Sequence, residues 1–115
     1  MKVAISSTGE NPDSNVADVF GRCPYFLIVD INDKKTEGFE AIKNASADQA
    51  GGAGISAAQT VAEKDVNAVI TGNVGPRALD VFKQFDIEIY TFDGDGTAKE
   101  VLQKFIDGKL KKKDI

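Results

Sequence analysis

The run Phe20-Gly21-Arg22-Cys23-Pro24-Tyr25-Phe26 sets one of the chain's two arginines beside its only cysteine, just ahead of the apolar stretch Leu27-Ile28-Val29. The second arginine, Arg77, follows another glycine-containing turn, Gly72-Asn73-Val74-Gly75-Pro76. All other basic residues are lysines scattered elsewhere. A guanidinium offers a rigid planar fork of donors suited to oxyanions and other multiply charged anions. An arginine on each of two converging loops therefore predicts a site for a negatively charged ligand. Two surface ion pairs would account for the same residues. Cys23 also has two readings: a thiolate ligand for a metal, helped by Arg22 beside it, or a small buried apolar residue, which is the favoured one.

Gly51-Gly52-Ala53-Gly54-Ile55 stands just before a helical pattern. Unpaired N–H groups and the positive end of the helix dipole favour an anion there, and glycine permits its close approach, so Gly51, Gly52 and Gly54 join the candidate site. A connection needing positive φ would also explain these glycines. The loop lacks the Lys-Ser/Thr ending of a Walker motif and does not follow a dinucleotide fingerprint. Asn73, Gly75 and Arg77 have the same character, a turn delivering a helix N-terminus with an amide and a guanidinium close by. Ser6 and Ser7, closing the first strand, complete the candidate set.

These residues must be positioned by alternating strands and helices. Residues 2–6 form an apolar strand ending in the polar turn Ser6-Ser7-Thr8-Gly9, and a polar excursion through Asn11-Pro12-Asp13-Ser14 follows. Tyr25 to Asp30 is nearly continuous in apolar residues, as in a strand covered on both faces. Asn32 to Lys35 is a tight turn and Thr36 to Ile42 the returning strand. From Gly54, the residues Ile55, Ala58, Val61 and Ala62 recur at helical spacing, and Val66 to Ile70 reads as a buried strand. Pro76 opens a helix with Leu79, Phe82 and Phe85 on one face, and the strand Ile87 to Phe92 follows. Thr97 and Glu100 make a capping box for a last helix carrying Val101, Leu102, Phe105 and Ile106, ended by Gly108.

The order β-β-β-α-β-α-β-α predicts an α/β fold with a five-stranded mixed sheet flanked by three helices. An antiparallel meander whose first strand then pairs in parallel with the fourth gathers loops 7–24, 43–54, 72–76 and 92–97 on one edge. Ligands of such sheets bind at the carboxyl ends of the parallel strands, so this edge is the expected site. Asn32 to Lys35, Asp65 and Asp86 fall on the opposite edge.

At 115 residues the chain is expected to be one domain, residues 1–115, burying roughly 65% of its unfolded surface, with 109–115 a flexible basic tail. Its net charge of −4 argues against a nucleic-acid partner, whose binding rests on cations displacing counterions. No stretch is long and apolar enough for a membrane span or a secretory signal, which predicts a cytoplasmic protein. One cysteine and no histidine leave no internal disulfide, classical zinc site or Cys-His nucleophile pair. The same element order occurs in ribonuclease H-like nucleases, but the first strand here has no carboxylate to anchor two magnesium ions. Asp93-Gly94-Asp95-Gly96 is too short for an EF-hand loop and reads as a turn before Thr97.

Together, Lys2-Val3-Ala4-Ile5, the Phe20-Gly21-Arg22 and Pro24-Tyr25-Phe26 run, Gly51-Gly52-Ala53-Gly54-Ile55, Val74-Gly75-Pro76 and Asp107-Gly108-Lys109-Leu110 resemble the dinitrogenase iron-molybdenum cofactor biosynthesis family. The likeness spans almost the whole chain. It implies a ribonuclease H-like fold of five strands and three helices. It also implies kinship with members that carry or insert iron-molybdenum-sulfur clusters, and with the orange proteins, which hold a molybdenum-copper-sulfide cluster noncovalently. Many relatives have His before the Phe-Gly-Arg run, where this chain has Val19, and Ala in place of Cys23. Without that imidazole only Cys23 could supply a soft ligand. Binding is then expected to be mainly electrostatic, through Arg22, Arg77 and the N–H groups around Gly52 and Gly75. The resulting expectation is a non-catalytic carrier or scaffold for an anionic metal-sulfur cluster, with cofactor-assembly proteins as partners. Two alternatives stand beside it: an enzyme acting on a small phosphorylated or acidic metabolite, with Asp48 or Asp93 tuned by burial, and a protein-interaction module without a ligand.

Overall fold

The computed structural model describes residues 1–92 and 95–113. Val3, Ala4 and Ile5 are fully buried because the strand that carries them, β1 (Lys2–Ser7), lies in the middle of a sheet. It pairs antiparallel with β2 (Tyr25–Asn32), which pairs antiparallel with β3 (Lys35–Lys43). Asp33 and Lys34 join the last two with φ of 51° and 66°. Two consecutive left-handed residues match the twist of a two-residue hairpin.

The chain then forms α1 (Ala53–Ala62), β4 (Ala68–Thr71), α2 (Pro76–Gln84), β5 (Glu88–Thr91), α3 (Ala98–Ile106) and β6 (Lys111–Lys112). β4 runs parallel to β1, and β5 parallel to β4. The sheet order is β3-β2-β1-β4-β5-β6, so the sheet has six strands where five were expected. The sixth lies in the basic stretch after Gly108. Two lysines carry no apolar strand signal; β6 exists because Tyr90 and Thr91 offer an open edge opposite Lys112 and Lys111. Lys112 Nζ also meets Glu88 Oε2 at 2.8 Å.

Alternation along the strands divides the core in two. Ala4, Phe26, Ile28 and Val69 face α1 and α2, meeting Ala57, Ala58, Val61, Ala78 and Phe82. Val3, Ile5, Leu27, Val29 and Ile70 face α3, meeting Ala98, Val101 and Leu102. The capping box of α3 is formed as the sequence predicts: Thr97 Oγ1 accepts from Glu100 N at 3.2 Å, and Glu100 Oε1 accepts from Thr97 N at 3.0 Å.

The long segment between β1 and β2 crosses the carboxyl ends of the parallel strands and is stitched to them. Ala17 N donates to Ser6 O, Phe20 N to Asn73 O and Val16 N to Gly96 O, each at 2.9 Å. Asn44 N, just after β3, donates to Pro24 O at 2.9 Å. The four connections expected on one edge therefore do meet there, Asp93 and Gly94 lying outside the described residues. Among the described residues no helix is long and apolar enough to cross a membrane.

Candidate functional site

Phe20 is the anchor of the site. It is fully buried, with its ring centroid 5.0 Å from those of both Phe26 and Phe82. The chain leaves this cluster at Gly21, whose backbone lies against the start of α1. A Cβ added there would stand 2.9 Å from Gly54 Cα, closer than real Cβ atoms approach a backbone. Glycine at 21 is thus a packing requirement that brings the Arg22 loop onto a helix N-terminus.

Both neighbouring helices begin without a side-chain cap. The N-cap of α1 is Gly52, with φ of 71°, and that of α2 is Gly75; neither helix has an acidic residue in its first turn. Helix geometry leaves the first N–H groups without intrahelical acceptors. In α1 these belong to Ala53, Gly54 and Ile55, and in α2 to Arg77 and Ala78, since Pro76 has none. Two positive helix ends converge on a cleft of about 340 Å³, lined by Val19, Gly21 and Arg22, by residues 52–55 and by residues 75–78. Arg22 and Arg77 both line it, and the lining contains no carboxylate. Among the described residues neither arginine has a carboxylate partner.

Arg22 has a second task. Its Nη1 donates to Ala47 O at 3.1 Å and to Gln49 O, tying down the loop between β3 and α1. Carbonyls orient a guanidinium without cancelling its charge, so the cation remains available to the cleft. Asn44, 3% exposed, reinforces the wall: its Nδ2 donates to Gly21 O at 3.1 Å and Cys23 O at 2.8 Å, and its Oδ1 accepts from Ser46 N. Sequence reasoning missed Asn44. The signal available was Asn44-Ala45-Ser46 at a strand end, a pattern in which an Asn side chain bonds the backbone two residues on.

The other candidate residues lie around the cleft or beneath it. Gly51 and Asn73 are exposed but outside the lining, and Asn73 serves through its carbonyl to Phe20. Ser6 and Ser7 are fully buried. Ser6 Oγ lies 2.7 Å from Thr71 Oγ1 and 3.2 Å from Ala17 O, its one proton shared between these contacts, and Ser7 Oγ donates to Gly9 O at 2.8 Å. Their hydroxyls fasten the crossing segment. Cys23 is 2% exposed and donates to Phe20 O at 3.0 Å. Burial pushes its thiol up to about 12, so it is protonated at neutral pH and packs as a small apolar residue. Asp48 is exposed and outside the lining, and Asp93 lies outside the described residues.

The donor set decides which ligand fits. Among the described residues no group of three or more His, Cys, Asp or Glu is placed to hold a metal ion. A bare cation entering the cleft would meet two guanidiniums and two positive helix ends. A preformed anion of a few ångströms would meet the two guanidiniums and the free N–H groups of both helix starts.

Comparison with known proteins gives a consistent result. The family described as dinitrogenase iron-molybdenum cofactor matches residues 1–108. Two proteins of Methanocaldococcus jannaschii, both described as uncharacterized, are similar over nearly their whole length. MJ0580 is 34% identical over 113 residues, 97% of this chain and 95% of its own. MJ0327 is 33% identical over 112 residues, 97% of this chain and 93% of its own. The apo form of the orange protein from Desulfovibrio gigas superposes with a TM-score of 0.87 at 32% identity, covering 96% of this chain and 90% of that one.

Proposed function

The chain belongs to the dinitrogenase iron-molybdenum cofactor family, and from that premise we propose that it is a small cytoplasmic carrier or scaffold for an anionic metal-sulfur cluster. The cargo is of the iron-molybdenum-sulfur or molybdenum-copper-sulfide kind, received from and passed to cofactor-assembly proteins, with no turnover of its own. The observation that carries this reading is the cleft in which both arginines face two uncapped helix N-termini with no carboxylate among them.

In this reading the cluster is held by its charge and its sulfides. Arg22, Arg77 and the N–H groups of Ala53, Gly54, Ile55 and Ala78 surround it, and no protein–metal bond forms. Val19, 49% exposed at the cleft, presents an apolar contact where an imidazole would have coordinated. A carrier gains from this arrangement: an electrostatically held cargo departs without ligand exchange at the metal. The buried Cys23 thiol lies below the site and keeps the Phe20–Cys23 turn closed.

The test is anaerobic titration with a preformed molybdenum-copper-sulfide anion, followed by visible absorbance and by backbone amide shifts. Binding should shift the amides of residues 52–55 and 75–78 together with Gly21 and Arg22. An unchanged spectrum, or shifts confined to other parts of the sheet, refutes the proposal.

A further inference from the structure

The two arginines of the cleft are held differently. Arg22 Nη1 donates to the carbonyls of Ala47 and Gln49, whereas among the described residues the Arg77 side chain makes no hydrogen bond or ion pair. The difference traces to Asn44, which is buried. Its Nδ2 donates to the carbonyls on either side of Arg22, Gly21 O at 3.1 Å and Cys23 O at 2.8 Å, and its backbone N–H donates to Pro24 O at 2.9 Å. The same residue holds the segment that receives the guanidinium. Asn44 Oδ1 accepts from Ser46 N at 3.1 Å, and Asn44 O accepts from Ala47 N at 3.2 Å. Arg22 thus leaves the chain at one point fixed by Asn44 and comes to rest against another.

We propose that Asn44 is the positioning residue of the cleft: it sets Arg22 in place before any guest arrives and leaves Arg77 as the arm that a guest orders. The position demands an amide. One end of the side chain must donate twice and the other must accept, which neither a carboxylate nor a hydroxyl can do. Because Asn44 is buried, water does not take over these bonds when the side chain is cut back, and the carbonyls of Gly21 and Cys23 lose their shared donor. A guanidinium already in place needs no ordering by the guest, whereas the free Arg77 side chain is immobilised only on binding. The consequence for cargo affinity rests on the carrier reading; the placing of Arg22 does not.

The experiment is NMR relaxation of the two arginine Nε–H groups in the full chain without added anion. Arg22 should be nearly as ordered as the backbone, with an order parameter of about 0.8, and Arg77 should fall below about 0.6. Asn44→Ala should lower Arg22 to the level of Arg77, and Asn44→Ser, a milder change that keeps one short donor, should lower it part of the way. Thr97→Ala, which loosens α3 and not the cleft, should leave Arg22 unchanged. In titrations with a molybdenum-copper-sulfide anion, Asn44→Ala should bind about five- to tenfold more weakly, the cost of ordering one long side chain. That loss should vanish in an Arg22→Ala background and persist in full beside Arg77→Ala. Arginines equally mobile in the native chain overturn the inference. So does an Arg22 still ordered in both Asn44 variants, and so does an Asn44→Ala loss undiminished once Arg22 is gone. A native chain that ignores the anion, yet shows an ordered Arg22 released by Asn44→Ala, refutes the carrier reading and upholds this one.

Discussion

The buried thiol of Cys23 makes a quantitative prediction about alkaline stability. Its ordinary value of 9.0 is pushed to about 12 in the folded chain, chiefly by burial, with Ser7, Asn44 and its own backbone opposing. Above pH 9 the unfolded chain releases the thiol proton while the folded chain keeps it. The unfolded state then binds fewer protons, so stability falls as pH rises. The loss begins near pH 9 and ends near pH 12, at about 1.4 kcal/mol per pH unit between, or roughly 3 kcal/mol by pH 11. Other groups ionise at alkaline pH as well, so the measurement is a difference between two chains that share them. Urea unfolding of the native chain and of Cys23→Ala at pH 8 and pH 11 isolates the thiol. Cys23→Ala should be less stable at pH 8 by about 1 kcal/mol through lost packing, yet should lose less on going to pH 11. Equal losses in the two proteins would refute the burial argument and return Cys23 to the list of available ligands.

Three further outcomes are expected. Gly21→Ala, whose methyl would press on Gly54, should cost about 1–3 kcal/mol in thermal unfolding and shift the amides of Gly54 and Ile55; an unperturbed α1 would show that the contact is loose. Arg77→Ala should weaken binding of a molybdenum-copper-sulfide anion by about ten- to a hundredfold, a charge-assisted contact being worth roughly 1.5–3 kcal/mol, and should flatten the salt dependence of binding. Arg22→Ala should do the same and also raise hydrogen exchange in residues 44–52, an effect absent from Arg77→Ala. Thr97→Ala removes one arm of the capping box and should lower stability by about 1 kcal/mol, read from urea unfolding, without touching the cleft.

What could be read in advance was mostly local. Thr97 and Glu100 stand three residues apart and cap each other, so the sequence pattern and the bonds coincide. The gathering of Arg22 and Arg77 on one cleft followed from handedness and strand order, which fix where connections emerge even when their detail is unknown. What escaped was made by distant partners. Arg22 reaches carbonyls 25 and 27 residues away, and nothing near position 22 announces them. Ser6 and Ser7 looked like donors at a strand end, yet the crossing segment folds over them and consumes their hydroxyls. β4 begins at Ala68 because Asn67 is engaged with Lys2 through both its backbone and its side chain. β6 arises from an edge that only the assembled sheet provides.

The two sides of the cleft differ in how they can yield. One side hangs from Phe20, clasped by Phe26 and Phe82, and pulling such a ring from its socket costs about 3–5 kcal/mol. The facing loop, residues 47–52, is fastened by Arg22 and by the bond from Gln49 Nε2 to Gly51 O, contacts that water can replace at about 1 kcal/mol each. The molecule therefore behaves as a vice with one jaw fixed to its bed, and any widening of the gap to admit or discharge a bulky load falls to the glycine side.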